Sequence, residues 1–146
     1  MNADLPSILL VEDDPGDVLL IREALAEQKV GNTLSVVSDG VMAMEFMRGE
    51  GEYAGMERPE LVILDLNLPR KSGSEVLAEL KGDPELSMVP VVVLTTSEAK
   101  EDVVRSYQQH ANAYITKPLD FERFKQIVHQ IDDFFIGLVQ LPPRSS

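Results

Sequence analysis

The sequence predicts a doubly wound α/β domain: five parallel strands in the order 2-1-3-4-5, with helices on both faces of the sheet. Three observations lead to it. Short apolar runs alternate along the chain with stretches in which apolar residues recur at three- and four-residue spacing. The runs are apolar at successive positions, the pattern of strands buried on both faces. The length of 146 residues suits one domain that buries a core without staples.

The first run, Ile8 to Val11, ends in Glu12, Asp13 and Asp14. Asp14 is a good N-cap, and Pro15 a good first helical residue. Val18, Ile21 and Leu25 then mark an amphipathic helix to about Gln28, with Gly31 and Asn32 as punctuation. Thr33 to Ser38 reads as the second strand, and Asp39 and Gly40 turn into a helix carrying Val41, Met44 and Met47. Gly49 to Pro59 reads as a polar loop. Leu61 to Leu64 is the third strand, closed by Asp65, and Pro69 and Gly73 mark the loop after it. Val76, Leu77 and Leu80 define the next helix, which Asp83 and Pro84 stop. Val91 to Leu94 is the fourth strand, ending at Thr95, and a helix with Val103, Val104 and Tyr107 follows. Ala113 to Thr116 is a short fifth strand before Lys117 and Pro118, and the last helix runs from about Asp120 to Leu138.

Composition narrows the function. Formal net charge is −12, from 25 acidic and 13 basic residues, so nucleic acid and anionic lipid are not expected partners. The absence of cysteine excludes disulfides, thiolate metal sites and a cysteine nucleophile, and fits a reducing, cytoplasmic setting. No basic segment followed by an apolar core opens the chain, and the apolar runs are far shorter than a membrane span.

In a doubly wound sheet the binding crevice lies beyond the carboxyl ends of the strands. Those ends hold Glu12 and Asp13 (first strand), Asp65 (third), Thr95 (fourth) and Lys117 (fifth). Taken singly, each has a plainer reading as a turn, cap or surface residue. Together, and with the first and third strands adjacent, they place three carboxylates at one spot. At ~4 Å and an effective dielectric of ~20, each pair of charges repels by about 4 kcal/mol, which a hard divalent cation relieves. Oxygen ligands favour Mg²⁺ or Mn²⁺ over zinc, and the backbone carbonyl of Asn67 is a further candidate ligand. A carboxylate such as Asp65 can attack phosphorus to give an aspartyl phosphate. Lys117 would then neutralise phosphoryl charge, and the Thr95 hydroxyl would donate to a phosphoryl oxygen.

At these residues the chain resembles the response-regulator receiver family of two-component signalling, which has a flavodoxin-like (βα)5 fold. The resemblance runs from Ser7 to about Leu138. It rests on Ile8-Leu9-Leu10-Val11-Glu12-Asp13-Asp14, on Leu64-Asp65-Leu66-Asn67-Leu68-Pro69 with Gly73, on Val92-Val93-Leu94-Thr95-Thr96, and on Tyr114-Ile115-Thr116-Lys117-Pro118. The resemblance implies that Asp65 is phosphorylated by a sensor histidine kinase. It implies that Asp13, Glu12, Asp65 and the Asn67 carbonyl hold Mg²⁺. It also implies that Thr95 and Tyr114 form the switch, that Lys117 contacts the phosphoryl group, and that the Lys117–Pro118 bond is cis. Phosphorylation would draw Thr95 inward and let Tyr114 follow, reshaping the face made by the fourth helix, fifth strand and fifth helix. A narrower resemblance, in Gly51-Glu52-Tyr53, Leu94-Thr95-Thr96-Ser97 and Phe134-Phe135 to Leu141-Pro142, is to small stand-alone regulators paired with phytochrome histidine kinases.

The expected organisation is an N-terminal tail over 1–6, a receiver domain over 7–138 and a C-terminal tail over 139–146, with no output domain. Six of the eight aromatics lie from Tyr107 onward, and Phe134 and Ile136 fall off the stripe of the last helix. That second apolar face predicts a homodimer through this helix and the face made by the fourth helix, fifth strand and fifth helix. His110 and His129 lack acidic orienters nearby in sequence and are not expected to carry phosphate. The rival is a phosphatase of the haloacid-dehalogenase type. Such an enzyme needs an acid two residues after its nucleophile, where this chain has Asn67. A nucleotide- or flavin-binding domain is disfavoured, since neither glycine-rich phosphate motif is present.

Overall fold

The structure is a computed structural model that describes residues 7–27, 33–96, 113–117 and 120–126; for 95, 96 and all of 113–117 except Ile115 it describes the backbone alone. The sheet holds β1 (Ser7–Val11), β2 (Thr33–Val37), β3 (Leu61–Asp65), β4 (Val91–Thr96) and β5 (Ala113–Lys117), in the order β2-β1-β3-β4-β5. Every neighbouring pair is parallel, as expected of a doubly wound sheet. The helices α1 (Pro15–Ala26), α2 (Gly40–Arg48) and α3 (Gly73–Gly82) alternate with the strands, and 121–126 is helical after β5.

Alternation along the strands sorts the core into two layers. Ile8 and Leu10 of β1, Leu61 and Ile63 of β3, and Val92 and Leu94 of β4 face α1 and Phe124. The intervening Leu9, Val11, Val62, Leu64, Val91 and Val93 face α2 and α3. β1 and β3 are therefore buried on both faces, which is why their sequences are continuous apolar runs. Burying each such side chain stabilises the fold by about 1.5–3 kcal/mol.

The helix starts follow from local chemistry. Asp14 accepts from the Gly16 amide at 3.3 Å, with Pro15 opening α1. Asp39 accepts from the Met42 amide at 2.8 Å and caps α2. α3 opens with a capping box: the Glu75 amide donates to Ser72 Oγ at 3.2 Å, and the Ser72 amide donates to Glu75 Oε1 at 3.0 Å. Ser72→Ala is expected to cost about 1 kcal/mol in urea unfolding, because it leaves the Glu75 amide without its acceptor. α3 ends at Gly82, and Asp83 caps it just before Pro84. From the last turn of α3 the Lys81 ammonium donates to the carbonyls of Ser87 and Val89 at 3.1 and 2.9 Å, and burial pushes its pKa down.

Several boundaries differ from the sequence reading. Within the described residues α1 ends at Ala26, and β2 stops at Val37 because Asp39 has turned to cap α2. Asp65 is the last residue of β3 itself, and β5 extends through Lys117. The loop after α2 contains a 3₁₀ turn at Gly51–Tyr53, which sets the Tyr53 ring 5.1 Å from Phe46. The expected helix around Val103 to Tyr107, the Lys117–Pro118 bond, the last helix beyond 126 and the tail over 139–146 lie outside the described residues.

Candidate functional site

The carboxyl ends of β1 and β3 carry the candidate acids. Val11 pairs with Leu64 in register, so Glu12 comes level with Asp65. Glu12 continues the parity of Ile8 and Leu10, and Asp65 that of Leu61 and Ile63, so both side chains leave the sheet on the same side. The Glu12 amide still donates to the Val37 carbonyl at 3.0 Å, which holds the end of β1 against β2.

Glu12 and Asp65 are 1% and 2% exposed, whereas Asp13 is exposed. Oxygens of all three carboxylates lie within 4.8 Å of one another. Backbone amides position two of them: Asp14 donates to Glu12 Oε2 at 3.1 Å, and Asn67 donates to Asp65 Oδ1 at 2.9 Å. Two nearly buried carboxylates beside a third make this edge of the sheet strongly anionic. Three oxygen donors at that separation suit a hard divalent cation. Asp13, at the rim, leaves the cluster open to solvent on one side.

The loop after β3 is tightly held. The Leu66 amide donates to Leu94 and the Leu66 carbonyl accepts from Gly73, both at 3.0 Å. A Cβ on Gly73 would stand 2.5 Å from Leu66 Cα and 2.8 Å from the Asp65 carbonyl carbon, so only glycine lets α3 start this close to the acid. Arg70 has φ 67°, a left-handed conformation unfavourable for a side chain other than glycine. Its guanidinium donates to Asp39 Oδ2 at 3.0 Å, and Lys71 forms an ion pair with Glu79 of α3. Sequence reasoning singled out neither cation. Lys71 pairs with the helix that follows, but the partner of Arg70 is 31 residues away.

The remaining predicted residues are placed through the backbone. Asp65 pairs in register with Leu94, which sets Thr95 one residue beyond the level of Asp65. Thr95 pairs with Thr116, Lys117 with Thr96, and Tyr114 with Val93. Thr95 and Lys117 thus stand at the same edge of the sheet as the acids, and Tyr114 lies further back along β5.

Residues 8–129 match the response regulator receiver domain. The chain belongs to that family. It is 45% identical over 135 residues to the response regulator Rcp1 of Synechocystis sp., covering 92% of each chain. Among solved structures, the phosphorylated cyanobacterial phytochrome response regulator RcpA superposes with a TM-score of 0.82 at 48% identity, over 94% of this chain and 99% of that one. The Mn²⁺-bound form of Rcp1 superposes with a TM-score of 0.80 at 44% identity, over 94% and 99%. Receiver domains bind a divalent metal, and the acid cluster fits that property. The family is one of signalling proteins, which favours the regulator reading over the phosphatase. Among the described residues no helix is long and apolar enough to cross a membrane.

Proposed function

We propose that this chain is a cytoplasmic response regulator that accepts a phosphoryl group on Asp65 from a sensor histidine kinase of the phytochrome type. The observation that carries the reading is the convergence of Glu12, Asp13 and Asp65, with oxygens within 4.8 Å, at the carboxyl edge of a receiver fold. A carboxylate oxygen of Asp65 attacks phosphorus as the bond from phosphorus to the kinase imidazole breaks, and the imidazole leaves with that electron pair. Glu12, Asp13, Asp65 and the Asn67 carbonyl would hold Mg²⁺, or Mn²⁺, which supplies positive charge against the transferred oxygens. Lys117 and the Thr95 hydroxyl complete the set of groups facing the phosphoryl oxygens. Their positions at the strand ends support this assignment.

Thr95 and Tyr114 act as the switch, and the altered face is read by protein contact, through a homodimer formed by the last helix. The functional unit is 7–138. Similarity to Rcp1 and RcpA supports the phytochrome link.

Incubation with acetyl phosphate and Mg²⁺, read by intact mass, tests the proposal. One labile phosphoryl adduct is expected on the wild type, none with the metal chelated, and none on Asp65→Asn. An adduct that survives Asp65→Asn overturns the assignment.

A further inference from the structure

We infer that Arg70, through its ion pair with Asp39, is a positioning residue that fixes the loop carrying the cation-facing Asn67. The inference rests on the phosphoacceptor reading for its purpose, and on geometry for its substance. The sheet order puts β1 between β2 and β3, so Glu12 and Asp13 emerge between the loop that follows β2 and the loop that follows β3. Arg70 comes from the second of these loops and Asp39 from the first. Their contact therefore bridges the two loops that flank the acidic pair.

Three features mark the bridge as built. Asp39 is 6% exposed and uses both oxygens: Oδ1 accepts from the Met42 amide at 2.8 Å, and Oδ2 accepts from Arg70 at 3.0 Å. An aspartate that only capped α2 would not need the second partner. Arg70 adopts its left-handed φ of 67° in making the contact, a conformation that persists where surrounding interactions over-determine it. The backbones of the two loops also touch: a Cβ on Gly40 would stand 2.7 Å from the Lys71 carbonyl carbon. The segment between Asp65 and Gly73 is thus fastened on its far side to the start of α2. Asn67, whose carbonyl faces the cation in the proposed site, lies between Leu66, held by Leu94 and Gly73, and Arg70, held by Asp39.

The test compares Arg70→Ala, Arg70→Lys, Asp39→Asn and the double variant Arg70→Ala/Asp39→Asn in the full chain. Asp39→Asn keeps a good helix cap while removing the charge that holds Arg70. Two readouts are used: Mg²⁺ affinity by calorimetry, and hydrogen exchange of the Asn67 amide without metal. Arg70→Ala is expected to weaken Mg²⁺ binding about tenfold, the scale on which groups that orient metal ligands act. It should also speed exchange at Asn67. Arg70→Lys should recover most of both, and the double variant should be no worse than either single change.

If Arg70→Ala lowers thermal stability but leaves Mg²⁺ affinity and Asn67 exchange at wild-type values, the inference is overturned. A wild type that binds Mg²⁺ but takes no adduct from acetyl phosphate overturns the phosphoacceptor reading instead, and the affinity comparison still decides the role of Arg70.

Discussion

Asp65→Asn is expected to make the metal-free protein more stable while abolishing its response to Mg²⁺. Glu12 and Asp65 are almost fully buried, and their carboxylate oxygens lie within 4.8 Å. At that separation and an effective dielectric of ~20, two unit charges repel by about 3 kcal/mol. The hydrogen bond from the Asn67 amide to Asp65 Oδ1 can be kept by an amide oxygen. The new NH₂ group has the neighbouring carboxylates to donate to. Allowing for relaxation and screening, the net gain is about 1–2 kcal/mol.

The sign reverses with metal. A wild type held at a hundred times its Kd gains about 2.7 kcal/mol from Mg²⁺, whereas the variant, short of one anionic ligand, gains little. Urea unfolding in chelator and in saturating Mg²⁺ gives both numbers for both proteins. A variant less stable than wild type in chelator would show that the acids are not in mutual repulsion.

Gly73→Ala has the opposite character: it removes no chemistry and is expected to damage the whole site. The added methyl would stand 2.5 Å from Leu66 Cα and 2.8 Å from the Asp65 carbonyl carbon. These are backbone atoms, so no rotamer change can clear the space. Either α3 moves off the sheet or the end of β3 is displaced. The cost is about 3 kcal/mol or more, at the upper end for overpacking because the obstacle cannot turn aside. Because the obstacle is the backbone of Asp65 itself, adduct formation with acetyl phosphate should fall with stability. Gly82→Ala is the control. A Cβ there meets nothing within 4 Å, and the position is the last residue of α3. It should be neutral or stabilising by up to about 1 kcal/mol. Equal losses at both positions would show that helix propensity, not close approach, governs Gly73.

Much of the candidate site was readable from the chain because its signals are local. Glu12, Asp13 and Asp65 directly follow or close apolar runs, and the rule that ligands bind beyond the carboxyl ends of parallel strands needs only those runs. Asp14 before Pro15 and Asp83 before Pro84 bracket helices through their own backbone chemistry, and both act as caps. The capping box Ser72-x-x-Glu75 was equally local and readable, though the sequence reading placed Gly73 in the loop and marked the helix only by Val76, Leu77 and Leu80. Arg70 and Asp39 are different: they are 31 residues apart and meet only because β2 and β3 flank β1. Nothing in either residue's neighbourhood announces the other. Gly40 and Gly73 read as ordinary loop glycines, because their significance is the distance to a different segment's backbone.

The sequence by itself determined the class of fold and picked out, at its strand ends, the three acids that the structure brings together. Periodicity and capping are set by side chains close along the chain, and strand order follows from general rules of connection. Only the tertiary structure decided how closely those acids approach, which of them are buried, and what fastens the loop between them. Those are distances between segments, and they are fixed when two layers of helix close on the sheet from opposite sides.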